Sequence, residues 1–126
     1  MELERITAQG APSPVGPYSH AIAAGSMVFV SGQIALDPSS GTIVGTTAAE
    51  QLRQAMRNLG AILEACGLGF GSLVKTTLYL TSMDDYPSCN SAYEEMLAGW
   101  KPARSVVEVS RLPKGVLVEI EGIACR

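Results

Sequence analysis

The sequence holds a single histidine, His20, and only three cysteines, Cys66, Cys89 and Cys125, with no C-x-x-C pair among them. A structural zinc site needs four soft ligands at short spacings, so no metal is expected. An odd, scattered set of thiols makes no disulfide framework either. Nine Lys and Arg stand against twelve Asp and Glu, a net charge of −3, and Arg53, Arg57, Lys75, Lys101 and Arg104 fall singly. The basic face that holds nucleic acid is missing, which argues against a nucleic-acid partner. No apolar run approaches the roughly 20 residues of a membrane helix, so no membrane partner is expected. Met1-Glu2-Leu3-Glu4-Arg5 opens acidic and lacks the apolar stretch of a secretory signal. A reducing cytoplasmic setting is therefore the expectation.

What remains is a chain of 126 residues, 47% hydrophobic and 17% charged. The length suits one domain spanning residues 1–126, on an allowance of about 100–200 residues each. The slight apolar excess hints that part of the surface is covered by a partner. Ala11–Tyr18 carries three prolines and a glycine and reads as an ordered loop. Ser19–Gly25 and Met27–Ser31 read as strands around a Gly25-Ser26 turn. Asp37–Gly41 is a turn cluster, followed by the short Thr42-Ile43-Val44. Thr47-Ala48-Ala49-Glu50 is a capping-box sequence, with Glu50 expected to reach back to the cap. After it Leu52, Ala55, Met56, Leu59, Ile62, Leu63 and Cys66 recur at helical spacing, and Gly67 supplies a left-handed stop. Leu73–Thr81 reads as a strand. Ser82-Met83-Asp84-Asp85 reads as a second capping box, with Pro87 tolerable in the first turn. Tyr86, Cys89, Tyr93, Met96 and Leu97 continue a helix as far as Gly99. Arg104–Ser110 and Val116–Ala124 close the chain as strands. The order predicts an α+β fold, a single mixed sheet with two helices on one face.

Strand side chains alternate between faces. Val28 and Val30 oppose Met27, Phe29 and Ser31. Val74, Thr76, Leu78 and Leu80 oppose Lys75, Thr77 and Tyr79. Val107 and Val109 oppose Arg104, Val106 and Glu108. Val116, Val118, Ile120 and Ala124 oppose Leu117, Glu119, Glu121 and Ile123. One face of each strand is apolar and suits the helices. The other mixes charges with Met27, Phe29, Val106, Leu117 and Ile123, as a subunit interface with a polar cleft would.

Several stretches together resemble the Rid (YjgF) family, and its RidA subgroup in particular. They are Pro14–Ser19, Val30–Ile34 with Leu36-Asp37-Pro38, Val74–Thr77, Met83–Tyr86, Asn90–Tyr93, Pro102–Ser105, Leu112–Gly115 and Val118–Glu121. The match runs in order along essentially the whole chain, and P-A-R-S with L-P-K-G and V-E-I-E behind it is its strongest part. The resemblance implies a chorismate-mutase-like (YjgF) fold and a homotrimer with clefts between subunits. It also implies cofactor-independent hydrolysis of enamines and imines of the 2-aminoacrylate and 2-iminobutanoate type to 2-keto acids and ammonia.

By the same resemblance, Arg104 holds the substrate carboxylate, a task suited to a planar, always-charged guanidinium. Its other reading is an ion pair with Glu108 or Glu121. Glu119 positions and activates water, or pairs with a cation on its own sheet face. Tyr18, Ser31, Gly32, Asn90 and the backbone of Val106 complete the expected substrate site. Val106 stands where many RidA members carry cysteine, which removes thiol chemistry from the cleft. His20 stands where many carry glutamine and is read as structural. The link from Asn90 to Arg104 is shorter than in typical members. Two other functions fit the resemblance or the composition: a non-catalytic trimer that binds keto acids, and an endoribonuclease or translation inhibitor. The acidic charge counts against the last.

Overall fold

The structure is a computed structural model and describes residues 2–126. Six strands form one sheet: β1 (Leu3–Ile6), β2 (Ala21–Ala24), β3 (Met27–Gln33), β4 (Leu73–Leu80), β5 (Ala103–Glu108) and β6 (Val118–Cys125), in the order β1-β2-β3-β6-β4-β5. Helix α1 (Ala48–Ala65) links β3 to β4, and α2 (Tyr86–Leu97) links β4 to β5. The β4–β5 pair is parallel, and β6 lies between β3 and β4, antiparallel to both. Strands β3 and β4 are thus parallel as well, and each helix is a crossover between parallel strands. Such crossovers share one hand, which puts both helices on the same face of the sheet. The mixed sheet with two helices on one face is as the sequence predicts; edge strand β1 lay outside that reading.

Helix α1 forms where its spacing says. Leu52, Ala55, Met56, Leu59, Ile62 and Leu63 are buried with Val28, Leu78, Leu80, Val118 and Ile120 of the sheet in one core cluster. Each large apolar side chain there contributes about 1.5–3 kcal/mol relative to exposure. Thr47 Oγ1 accepts from the Glu50 amide at 3.3 Å, but the Glu50 carboxylate accepts from the Thr47 hydroxyl at 2.8 Å and does not reach the cap's amide. Half of the capping box forms, with a side-chain bond in place of the other half. Gly67 ends the helix at φ 74°.

The second capping sequence works differently. Ser82 Oγ accepts from Asp84 N at 3.2 Å and caps a single 3-10 turn, Met83–Asp85, that leads into α2. The left-handed stop of α2 begins at Ala98, φ 50°, one residue before Gly99.

Alternation along β3 and β6 is as expected: Val28, Val30, Val118, Ile120 and Ala124 are buried and their neighbours are not. Two assignments are reversed. At the start of β4 the register with β6 shifts between Leu73 and Lys75, so Leu73 is buried and Val74 is exposed. In β5 the parallel register sets Arg104 opposite Thr76 and Val106 opposite Leu78, both on the helix face. Arg104 and Val106 therefore face α2, while Val107 lies on the other side, 41% exposed. Valines at 106, 107 and 109 leave hydrophobicity unable to choose between the faces of this edge strand, and only pairing decides.

Candidate active site

The expected site residues fall into two groups. The first lies at one end of β3 and β6, where a cavity of about 400 Å³ is lined by Pro12, Val15, Tyr18, Ser31, Gly32, Ile34, Lys114 and Glu119, among others. Glu119 stands on the helix-free face, opposite Tyr79 in the β4–β6 register. A methyl group at Gly32 would overlap its carboxylate, coming within 2.9 Å of Cδ. Gly32 is not among the positive-φ residues, so what it provides there is room: any side chain at this position would push the Glu119 carboxylate from its seat. Burial pushes the Glu119 pKa above the ordinary carboxylate range, and the nearby Glu121 carboxylate adds to the rise. Glu121 is itself engaged by the Tyr79 hydroxyl, which donates to it at 2.9 Å. Among the described residues the ion pairs are Arg53–Glu95 and Arg126–Glu4, so Glu119 pairs with no cation.

The walls of this cavity are pinned by polar groups of the fold. Ser31 Oγ donates to Ser19 O at 2.6 Å, and Ser31 N donates to His20 O at 2.9 Å. His20 is buried; its Nδ1 accepts from Ala8 N at 2.9 Å and its Nε2 donates to Pro12 O at 2.7 Å. A backbone amide can only donate and a carbonyl only accept, so these partners set the tautomer. His20 holds the proline-rich loop that presents Tyr18, which is 49% exposed. On the other wall, buried Asn58 of α1 donates to Ile34 O at 3.1 Å and Leu36 O at 2.9 Å. Lys114 reaches the rim from the turn Pro113–Gly115 with φ 58°, a left-handed conformation uncommon for a residue with a side chain.

The second group lies on the helix face. Arg104 Nη1 donates to Asn90 Oδ1 at 2.9 Å and Nη2 to Tyr86 Oη at 2.8 Å. Its Cζ stands 4.9 Å from the Tyr93 ring centroid. Neither Glu108 nor Glu121 is its partner: Glu108 accepts from Met83 N and Glu121 from Tyr79. A cavity of about 340 Å³ opens beside Arg104, walled by Asn90, Tyr93, Leu97, Trp100, Lys101 and Pro102. Val106 lies two residues along β5 and packs against the core. Tyr86 and Tyr93 were not among the expected site residues. Their spacing could have found them, since 86, 90 and 93 share one face of a helix.

Within one chain Tyr18, Ser31, Gly32 and Glu119 thus come together, and Asn90 and Arg104 come together, on opposite faces of the sheet. Cys89 is buried beside the second group, and burial with Asp85 nearby raises its pKa to about 11, which keeps it a thiol. Among the described residues no cluster of three or more His, Cys, Asp or Glu is placed to hold a metal. Among the described residues no helix is long and apolar enough to cross a membrane.

Comparison with known proteins identifies the family. The family model described as Endoribonuclease L-PSP matches residues 8–126. A RutC family protein of Pyrococcus horikoshii is 50% identical over 121 residues, 96% of either chain. The 2-iminobutanoate/2-iminopropanoate deaminase of Salmonella typhimurium is 44% identical over 124 residues, again 96% of either chain. The crystal structure of E. coli TdcF with bound serine superposes with a TM-score of 0.93 at 40% identity, over 98% of either chain. Family model, relatives and fold neighbour coincide along almost the whole sequence, and the chain belongs to the Rid/YjgF family, whose model carries the description endoribonuclease L-PSP.

Proposed function

We propose that this protein is a cofactor-independent deaminase that hydrolyses small 2-imino acids, and the enamines that tautomerise to them, to 2-keto acids and ammonia in the cytoplasm. The relatives named 2-iminobutanoate/2-iminopropanoate deaminase support this reading. The observation that carries it is the Glu119 carboxylate: half-buried, without a cation partner among the described residues, with a raised pKa, and seated against the side-chain-free Gly32 in a cavity open to ligand. A carboxylate so placed is a stronger base than one in free solution.

The step balances with these groups alone. Arg104 grips the carboxylate of the imino acid. Water adds its oxygen to C2 as the C=N double bond becomes single, and Glu119 takes one of the water's protons and passes it to the nitrogen. The C2–N bond of the resulting aminoalcohol then breaks. Glu119, again a carboxylate, takes the hydroxyl proton and hands it to the departing nitrogen, which leaves as ammonia while the oxygen becomes the keto oxygen. Ser31, Gly32, Tyr18 and Asn90, with the backbone of Val106, orient the substrate. Fixing water and imine together can supply several kcal/mol of the barrier reduction.

Arg104 and Glu119 lie on opposite faces of one chain's sheet, so the site is completed by a second copy, in a homotrimer with a site between each pair of subunits. The helix-free face supports this. It carries Phe29, 47% exposed, and Val107, 41% exposed, with Met27, Tyr79 and Ile123 beside them and no element of the described chain over it. In this reading residues 1–126 form one domain with its core under the helices and its interface on the open face.

The test couples the purified protein to an amino-acid oxidase that releases imines and traps residual imine with semicarbazide. Wild type should lower the trapped imine, while Arg104→Ala and Glu119→Ala should not. Co-purified mixed oligomers of the two variants should recover about a quarter of the wild-type rate, because random mixing in a closed ring rebuilds that share of sites. No recovery would place both residues of a site on one chain. Wild type that leaves trapped imine unchanged across small and large amino acids would defeat the deaminase reading.

A further inference from the structure

We propose that Tyr86 is a positioning residue for Arg104, its hydroxyl setting the orientation in which the guanidinium meets a ligand carboxylate. The inference rests on the reading of Arg104 as the carboxylate grip. Tyr86 opens α2 and Asn90 follows four residues later, so both side chains leave the same face of the helix toward β5. Nη2 of Arg104 donates to the Tyr86 oxygen at 2.8 Å and Nη1 to the Asn90 oxygen at 2.9 Å. Each terminal nitrogen carries two hydrogens, so each keeps one free, and Nε keeps its own. Three donors are left, and a two-point carboxylate grip uses two.

The surroundings explain why the holding group is a phenol. Cζ lies 5.6 Å from the Tyr86 ring centroid and 4.9 Å from that of Tyr93. The buried Tyr93 hydroxyl is itself tied to Thr76 Oγ1 at 2.6 Å. Two rings and two neutral oxygens thus fix the cation without cancelling its charge. A carboxylate in place of either oxygen would hold the guanidinium as well, but would compete with the ligand for it. With the Tyr86 hydroxyl removed, both rings and Asn90 remain, yet one side of the guanidinium is free to swing. Binding must then order it, which weakens the grip on the ground state and transition state alike.

The experiment compares wild type, Tyr86→Phe and Arg104→Ala as full-length chains. It measures 2-ketobutanoate binding by calorimetric titration, steady-state kinetics in the oxidase-coupled assay, and the thermal midpoint. The phenylalanine variant should weaken 2-ketobutanoate binding and raise KM about ten-fold, keep kcat within about two-fold, and melt as wild type does. Arg104→Ala should bind no measurable ligand. Wild-type binding and KM in Tyr86→Phe, alongside lost binding in Arg104→Ala, overturn the role of Tyr86 alone. A fall in kcat at unchanged KM, or a lowered melting midpoint with unchanged KM, overturns it too. Wild-type binding in Arg104→Ala overturns the carboxylate reading beneath it.

Discussion

The two charged groups of the candidate site are held in opposite ways. Arg104 is held by partners: two neutral oxygens at 2.8–2.9 Å and two aromatic rings. Glu119 is held by shape, seated in the space that a side chain at Gly32 would fill and, among the described residues, joined to no cation. A cation that binds must keep its charge and lose its motion, and neutral acceptors achieve both. A base that works must keep its lone pairs free and its proton affinity raised, and close packing beside another carboxylate achieves both. The sheet separates the two environments, so neither group neutralises the other within a chain.

The comparison breaks most severely at Glu119. Glu119→Gln keeps the shape and removes the base; turnover should fall about 10²–10⁴-fold while 2-ketobutanoate binding persists, as kinetics beside calorimetric titration will tell. The same variant should melt higher than wild type at pH 7. The sign follows from the raised pKa: ionising Glu119 costs more in the fold than in the unfolded chain. Its contribution is most favourable below the unfolded carboxylate pKa and is lost as pH rises through the folded one. Equal melting of the two proteins at pH 7 would contradict that sign.

Gly32→Ala attacks the same seat from the other side. The added methyl displaces the carboxylate, so kcat should fall roughly 10²-fold, while the melting midpoint changes little because the group displaced is the end of a flexible side chain. Near-normal turnover would mean that Glu119 works from another position. At the other pole, Arg104→Ala should slow kcat/KM by at least tens-fold, as expected from the roughly 2–5 kcal/mol carried by a close charge pair. Arg104→Lys should recover only part of it, because a point charge replaces the fork.

The finest adjustment lies at Glu121. Neutralising a like charge lowers the pKa of its neighbour, so Glu121→Gln should move the acid limb of the kcat/KM profile to lower pH. An unmoved limb would leave burial as the whole cause of the rise. The smallest expected signal is in the thiols. Exposed Cys125 should react with a thiol reagent in the native protein, whereas Cys89, buried with its pKa near 11, should react only on unfolding.

The sequence by itself determined whatever a local period can encode. Helix α1 was legible because its apolar stripe repeats with the turn of the helix and Thr47 marks its start. The open-face position of Glu119 was legible because β6 alternates without interruption, Val118 and Ile120 inward, Glu119 and Glu121 outward. The structural role of His20 followed from its isolation, and the structure supplies its two backbone partners. What only the tertiary structure decided is wherever parity depends on a neighbour. A register shift between Leu73 and Lys75 turned Val74 outward. Parallel pairing with β4, in an edge strand with valines on both sides, turned Arg104 toward α2. That one choice of face delivered Arg104 to Tyr86 and Asn90 and parted it from Glu119. Strand period is two, so a single step in pairing moves a side chain from one face of the sheet to the other, and no pattern within the strand records which step was taken.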